Sequence, residues 1–450
     1  MLLIASGPPM LRDERRGALA SLQGQIDAWI LWQLAVYALA GGLALLYLAG
    51  PLRRGVHRRN GPLLALSGFL CLLFATSSLW SPSIVATLSM SLLLGLAMLV
   101  TAQFASTGAR LDHGALDLLG ALRLLAGVLM GLVMLAYLTD QRGIVQWVPT
   151  GIRVRGGRLG VQQTLGPTVF VISLYFLAFG LRNRATELFW IAFSLAAVWM
   201  ARTRAAYVTV AIGALGVWVL WIRTHPERRR LMQKLLLTSI VASILLALVA
   251  AFSGLLQATW YRGGSADSVT TLSHRTTVWS WTFREIAERP WGFGYSTGFR
   301  NMFLNIDAVT SDAYRYEGLL VERIGEAHNS HLEVLVAAGW TGFAIYLGIL
   351  GIVVHRGVRV LRMRGISAEL RHGARVAMIL LAMFMVDGMT TSSYALPTRQ
   401  PFGILLFVIG LVLIIEARAS VRAPRPLSLV ETPPDAPDPQ RDASAAARSA

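Results

Sequence analysis

The chain has 450 residues, of which 55% are apolar and only 14% are charged, and its mean hydropathy is +0.56. A chain of this composition cannot wrap one apolar core in a polar surface, so a soluble globular domain is excluded and a polytopic membrane protein is expected. The formal net charge of +17 is almost wholly arginine, with Lys234 the only lysine, and its place in short connections between apolar runs argues against nucleic acid as a partner.

Apolar runs long enough to cross a hydrocarbon layer recur near residues 27–50, 62–79, 83–105, 115–139, 162–180, 185–201, 204–222, 235–257, 330–354, 375–392 and 401–417. The expected fold is an all-α transmembrane helix bundle of about 11–12 spans, since a helix satisfies its own backbone in lipid. The opening residues place apolar groups before charges, the reverse of a cleavable signal. Residues 1–26 are an N-terminal segment, either interfacial or part of an extra span. Arginine sets the orientation. The connections "PLRRGVHRRN", "LRNR", "RTHPERRRLMQK" and "HRGVRVLRMRGISAELRHGAR" alternate along the chain and share the cytoplasmic side. Trp80-Ser81, the 140–161 connection, Arg202 and Arg204, the 258–329 segment and residues 392–400 then lie outside. The organisation expected is a first bundle at 27–257 (spans 1–8), an outer loop at 258–329 carrying an amphipathic helix, a second bundle at 330–417 (spans 9–11), and a disordered cytoplasmic tail at 418–450. From about residue 423 that tail is rich in Pro, Ala and Asp and has few large apolar groups. Cys71, the single cysteine, sits inside a span and fits packing.

Charges near or within the spans are the candidates for chemistry, because burying them in lipid is costly unless they are paired or used. Arg123 and Asp387 lie deepest, and each can either pair with a neighbour to hold the bundle or take part in a pathway. In "WMARTRAAYVTV", Arg202 can snorkel to headgroups, whereas the small residues after Arg204 leave space beside its guanidinium. In "LSHRTTVWSWTFREIAERPWGFGYSTGF", Trp279, Phe283 and Ile286 recur at helical spacing, predicting a short amphipathic helix on the membrane surface. Arg275 opens it, beside backbone donors that suit a phosphate. Pro290-Trp291-Gly292-Phe293-Gly294 reads as a tight aromatic bend. Ser330 and Glu333 have capping-box spacing, which would start the next span near His331 and leave His328 just outside it. Arginines converging on His328 would favour the uncharged imidazole, which can accept a proton. His331 better fits an interfacial hydrogen bond. Gly339 and Gly342, three apart on one helix, would admit a neighbouring span.

"HNSHLEVLVAAGWTG" has His328-Asn329, nine residues, then Gly339 and Gly342 separated by two residues. It resembles the signature of the O-antigen ligase and polymerase-like family of bacterial envelope proteins. "WSPS" at Trp80 and Ser81, "RLGVQQTLG", "TRAA" and "HRTTVW…RPWGFGYSTGF", with its Pro290, Gly292 and Gly294, follow the family's order. The segment departs from many relatives at Gln162-Gln163-Thr164, where an Asn is usual, and at His274, where a Gly is common. The resemblance implies a multi-pass protein of the bacterial inner membrane that performs a metal-independent, inverting glycosyl transfer at the periplasmic face, with no cofactor. The implied donor is an undecaprenyl diphosphate-linked glycan. The implied acceptor is a hydroxyl of lipid A-core (a ligase) or of another glycan (an exopolysaccharide polymerase). Carried over position by position, Arg204 and Arg275, with Arg202 nearby, would hold the diphosphate, and His328 would activate the acceptor. A transporter or flippase is the competing expectation, but no internal repeat of the kind such folds carry is found.

Overall fold

The structure, a computed structural model, describes residues 35–36, 38–43, 54–81, 84–109, 114–138, 145–148, 151–154, 162–201, 203–228, 275–295, 329–391 and 400–422. Long helices dominate it: α1 (Arg54–Thr76, continued by a short 3-10 turn at Ser77–Leu79), α2 (Ile84–Gly108), α3 (Ala115–Leu138), α4 (Gln162–Ala178), α5 (Arg184–Ala201), α6 (Arg204–Thr224), α7 (Arg275–Glu288), α8 (Ser330–Arg362), α9 (Ala368–Gly388) and α10 (Gln400–Arg422). Nine of these coincide with runs expected to span, and α7 is the helix expected in the outer loop. Residues 35–43 contribute a helical fragment of the first run, and the run at 235–257 lies outside the described residues. Among the described residues, six helices are long and apolar enough to cross a membrane.

The 140–161 connection holds an element that the sequence reading did not expect. Two short strands, β1 (Val145–Val148) and β2 (Gly151–Val154), pair antiparallel with Val145 opposite Val154 and Val148 opposite Gly151. Strands this short give too little period-2 alternation to stand out beside long apolar helices.

The bundle sorts its helices by how completely they are enclosed. α4 is central: Leu165, Val169, Val171, Ile172, Tyr175 and Phe176 are buried to the last few per cent. α9 and α10 are similarly enclosed, through Val376, Leu380, Met383 and Ile404, Val408, Leu411 and Ile415. Outer helices instead display apolar stripes. Leu124, Val128, Leu132 and Leu135 of α3 recur at helical spacing and are all exposed, as are Leu188, Phe189, Leu195 and Trp199 of α5. In water such stripes would be costly; facing lipid tails they fit a membrane bundle.

Among the described residues, two buried sites in the interior hold ion pairs. Arg123 of α3 bonds Glu187 of α5, which is fully buried, and its guanidinium lies 5.3 Å from the Phe176 ring centroid and 5.7 Å from that of Trp190. Of the two roles left open for Arg123, the structure supports the pairing that holds α3 to α5. Near the other end of α8, Arg356 and Arg359 both approach Glu416 of α10, at 3.2 and 3.8 Å. That contact helps to explain why α10 continues to Arg422, past residue 417 where the tail was expected to begin.

α8 differs from a simple span. It carries a break at Ala338 and Gly339, where Gly339 adopts φ 64° and ψ −164°. The expectation of Gly339 and Gly342 on one uninterrupted helix is corrected here. Gly342 does face a neighbouring span, with Leu73 and Leu70 of α1 beside it, but Gly339 is the hinge of the break and receives a loop.

Candidate functional site

Two constructions meet at one end of the bundle, and each follows from unsatisfied backbone groups. The first is built on the α8 break. A helix interruption frees carbonyls and an amide that must find partners when buried. The turn after α7 supplies them: the Phe293 amide donates to the Val336 carbonyl (2.8 Å), the Gly294 amide donates to the Ala337 carbonyl (3.1 Å), and the Trp340 amide donates to the Pro290 carbonyl (3.1 Å). The turn reaches so close because Gly292 and Gly294 take positive φ angles of 86° and 105°, and neither has a side chain to obstruct it. A Cβ on Gly339 would stand 1.8 Å from the Pro290 carbonyl oxygen. Pro290, Gly292, Gly294 and Gly339, far apart in sequence, therefore form one backbone junction.

Beyond the turn, Tyr295 fixes the same end to α1 and α2. Its ring stacks on Phe74 at 4.0 Å, its amide donates to Ser77 Oγ (3.1 Å), and its carbonyl accepts from Thr87 Oγ1 (3.2 Å). Ser81 Oγ pairs with Thr87 Oγ1 at 2.8 Å, so the Trp80-Ser81 corner belongs to this end too. Along α7, Val278, Thr282 and Ile286 are buried, and the two apolar ones pack with Phe293 on Leu332, Leu335 and Val336 of α8. Of the expected apolar face, Ile286 is buried and Trp279 packs against the same cluster, whereas Phe283 is 48% exposed, so α8 covers one side of the helix and leaves Phe283 outward.

The second construction is the C-terminal end of α9. Its last turn tightens, with the Met389 amide donating to Val386 and the Thr390 amide to Asp387, which leaves carbonyls without helical partners. Three donors from two other helices take them. Arg275 Nη1 donates to the Thr390 carbonyl (2.9 Å), Ser330 Oγ donates to the Thr391 carbonyl (2.5 Å), and the His331 imidazole Nε2 bonds the Met385 carbonyl (3.0 Å). Asp387, 2% exposed, accepts from Thr209 Oγ1 of α6 at 3.3 Å and from Thr390 Oγ1 at 3.4 Å, while Thr209 also bonds Ala205 in the first turn of α6. The second turn of α6 and the first turns of α7 and α8 are therefore gathered about one helix end.

At the start of α8 the expected cap shifts by one residue. Asn329, not Ser330, is the N-cap; its Oδ1 accepts from the amides of His331 (3.0 Å) and Leu332 (3.2 Å). Ser330 is free of capping because its hydroxyl crosses to α9.

Of the residues singled out by sequence, Arg275, Asn329, Trp80, Ser81, Pro290, Gly292, Gly294 and Gly339 share this end, and Gly342 lies one turn further along α8. Arg204 is the first residue of α6 and so starts at the same end; its side chain, Arg202 and His328 lie outside the described residues. His328 immediately precedes Asn329 in the chain. Tyr295, Thr209, Thr390 and Thr391 were not singled out. Tyr295 lies within the quoted outer-loop motif, and the three threonines are marked only by their positions near the ends of apolar runs, which many hydroxyl residues share.

Six apolar helices among the described residues, lipid-facing stripes and an enclosed helical core define an all-α polytopic membrane bundle. Residues 188–347, from α5 to the middle of α8, match the family model described as O-antigen ligase, so this part of the membrane bundle is similar to O-antigen ligase/polymerase-type proteins. The matched segment contains Arg202, Arg204, Arg275, the Pro290–Gly294 turn, His328 and Gly339. No curated protein matches the chain.

Proposed function

We propose that this protein is a glycosyltransferase of the inner membrane that moves a glycan from undecaprenyl diphosphate to an acceptor hydroxyl at the periplasmic face. The family match over residues 188–347 carries the reading. It is supported by the gathering of the starts of α6, α7 and α8, the elements bearing Arg204, Arg275 and the residue after His328, about the end of α9. Under this reading the 258–329 segment is the periplasmic loop, residues 27–257 and 330–417 are the membrane bundle, and residues beyond α10 are the cytoplasmic tail.

The chemistry follows from charge development. As the acceptor oxygen attacks the anomeric carbon from the face opposite the leaving group, the C1–O bond to the diphosphate breaks and configuration inverts. His328 takes the hydroxyl proton, and the diphosphate leaves as an anion. Arg204 and Arg275, with Arg202 nearby, hold the diphosphate; fixed guanidinium groups beside it bind the transition state more tightly than the ground state, because negative charge grows there during the step. No metal or cofactor enters this scheme. A positioned base contributes about 10²–10⁴-fold in rate.

The acceptor reading favoured is lipid A-core, which makes the protein a ligase; a polymerase acting on another lipid-linked glycan uses the same donor chemistry. Deleting the gene and resolving glycans on a gel tests both. Loss of polymer-capped lipopolysaccharide with lipid-linked polymer retained supports the ligase, accumulation of single repeats supports the polymerase, and unchanged glycans refute the proposal. In the same assay His328→Ala is expected to abolish transfer with normal membrane insertion, and wild-type activity from it would remove the base from the mechanism.

A further inference from the structure

His331 is the second histidine of the motif, three residues into the chain after His328, and its ring is held at both nitrogens. Nε2 lies 3.0 Å from the Met385 carbonyl, and Nδ1 lies 3.1 Å from the Tyr346 hydroxyl. A carbonyl only accepts, so Nε2 carries the proton; in the neutral ring Nδ1 then accepts from the Tyr346 O–H. Space is restricted as well: a Cβ added to Gly388 would sit 3.1 Å from Nε2, so the glycine lets the imidazole approach the α9 backbone.

The Met385 carbonyl is available because α9 ends in a tightened turn, where the Met389 amide bonds Val386 instead. His331 thereby fills a vacancy that α9 creates by its own termination, and it does so from the first turn of α8. Ser330 makes the adjacent crossing to Thr391, and Asn329 caps the helix by holding the His331 amide itself. The first turn of α8 is fixed through two crossings to α9, at Met385 and Thr391, and the imidazole also ties it back to Tyr346, which lies beyond the break in α8.

We propose that His331 is a positioning residue: its Met385 and Tyr346 bonds latch the first turn of α8, the turn that follows the motif histidine His328 in the chain, to α9. The proposal rests on the transferase reading for its effect on activity, but the latch itself is a structural statement that can fail separately. Misplacing a reacting group by about 1 Å costs on the order of 10²-fold in rate, so the latch acts on the chemical step and leaves diphosphate binding by arginines on other elements largely unchanged.

The test uses full-length protein carrying His331→Leu, which removes both bonds; His331→Gln, whose amide can still donate to the Met385 carbonyl; and Tyr346→Phe, which removes only the hydroxyl. Three readouts are taken: glycan transfer in a deletion host, binding of undecaprenyl diphosphate to protein in nanodiscs, and amide hydrogen exchange over residues 329–335. His331→Leu is expected to lower transfer by about 10–100-fold, to bind undecaprenyl diphosphate within about threefold of wild type, and to exchange faster over 329–335. His331→Gln is expected to recover most of both transfer and protection, with Tyr346→Phe intermediate. Full transfer from His331→Leu, or a His331→Gln variant as impaired as the leucine variant, overturns the positioning role. Unchanged exchange in His331→Leu overturns the latch. If wild-type protein transfers no glycan, the transferase reading fails, and the exchange data still decide the latch. If His331→Leu does not insert, Tyr346→Phe supplies the same comparison, and its wild-type transfer and exchange would refute the proposal.

Discussion

Replacing Gly339 with alanine attacks the junction between α8 and the Pro290–Gly294 turn at its narrowest point. Gly339 sits at φ 64° and ψ −164°, a region that residues with a Cβ essentially do not occupy, and forcing one there costs about 1–3 kcal/mol. The added methyl also cannot be accommodated in place, since it would lie 1.8 Å from the Pro290 carbonyl oxygen and 2.7 Å from carbonyl carbons of Pro290 and Trp291, all backbone atoms. The turn must therefore withdraw, which loosens its three backbone hydrogen bonds to Val336, Ala337 and Trp340. At about 0.5–1.5 kcal/mol each, with the strain added, the loss is roughly 3–6 kcal/mol. For detergent-solubilised protein this should lower the thermal midpoint by roughly 3–6 °C. Gly292→Ala strikes the same contact from the other side, because its Cβ would meet the Gly339 amide nitrogen and the Val336 carbonyl oxygen, each at 2.7 Å. The double variant should cost clearly less than the sum of the singles, since either one alone displaces the turn. A Gly339→Ala protein with wild-type midpoint, or strict additivity with Gly292→Ala, would show that the turn does not hold the break.

The remaining predictions concern the interior and the orientation. Arg123→Met alone leaves Glu187 buried without its cation and should destabilise by about 3–5 kcal/mol, whereas Arg123→Met with Glu187→Leu should recover most of that loss in the same thermal assay. Equal loss in the single and double variants would mean that packing, not the ion pair, sets the cost. In a Cys71→Ala background, a cysteine at Trp291, which is 54% exposed beside the candidate site, should react with an impermeant maleimide added outside intact inner-membrane vesicles of periplasmic-side-out orientation. A cysteine at Arg364, exposed in the connection between α8 and α9, should react only after permeabilisation. The opposite pattern would invert the proposed topology.

Legibility divided along physical lines. The nine helices at expected spans were readable because crossing hydrocarbon demands a long apolar run, and length and composition alone carry that signal. Arg123 was visible as a costly intramembrane charge, but its partner was not, since nothing local relates α3 to Glu187 at a distance of 64 residues in the chain. The α8 start was placed within a residue, yet its cap was assigned to Ser330. Capping-box spacing cannot reveal that the Ser330 hydroxyl is already engaged by Thr391, which leaves Asn329 to hold the first amides. The α7 face was read in part, since Trp279 and Ile286 do pack against α8 and Phe283 does not. Helical spacing fixed Ile286 and Trp279, and only packing against Leu332, Leu335 and Val336 added Val278 and turned Phe283 outward.

Sequence by itself determined that this protein is a helical membrane bundle, where its long apolar helices fall, and which short motifs resemble those of a family of glycan-handling membrane proteins. These depend on composition and on local spacing, which a linear chain displays in full. Tertiary structure alone decided that the Pro290–Gly294 turn mends a broken α8, that α9 ends as a hub for Arg275, Ser330 and His331, and that Arg123 is spent on Glu187. Each of those depends on which backbone carbonyls, amides or buried charges are left without a local partner, and the group that answers them is supplied by folding from a distant part of the chain.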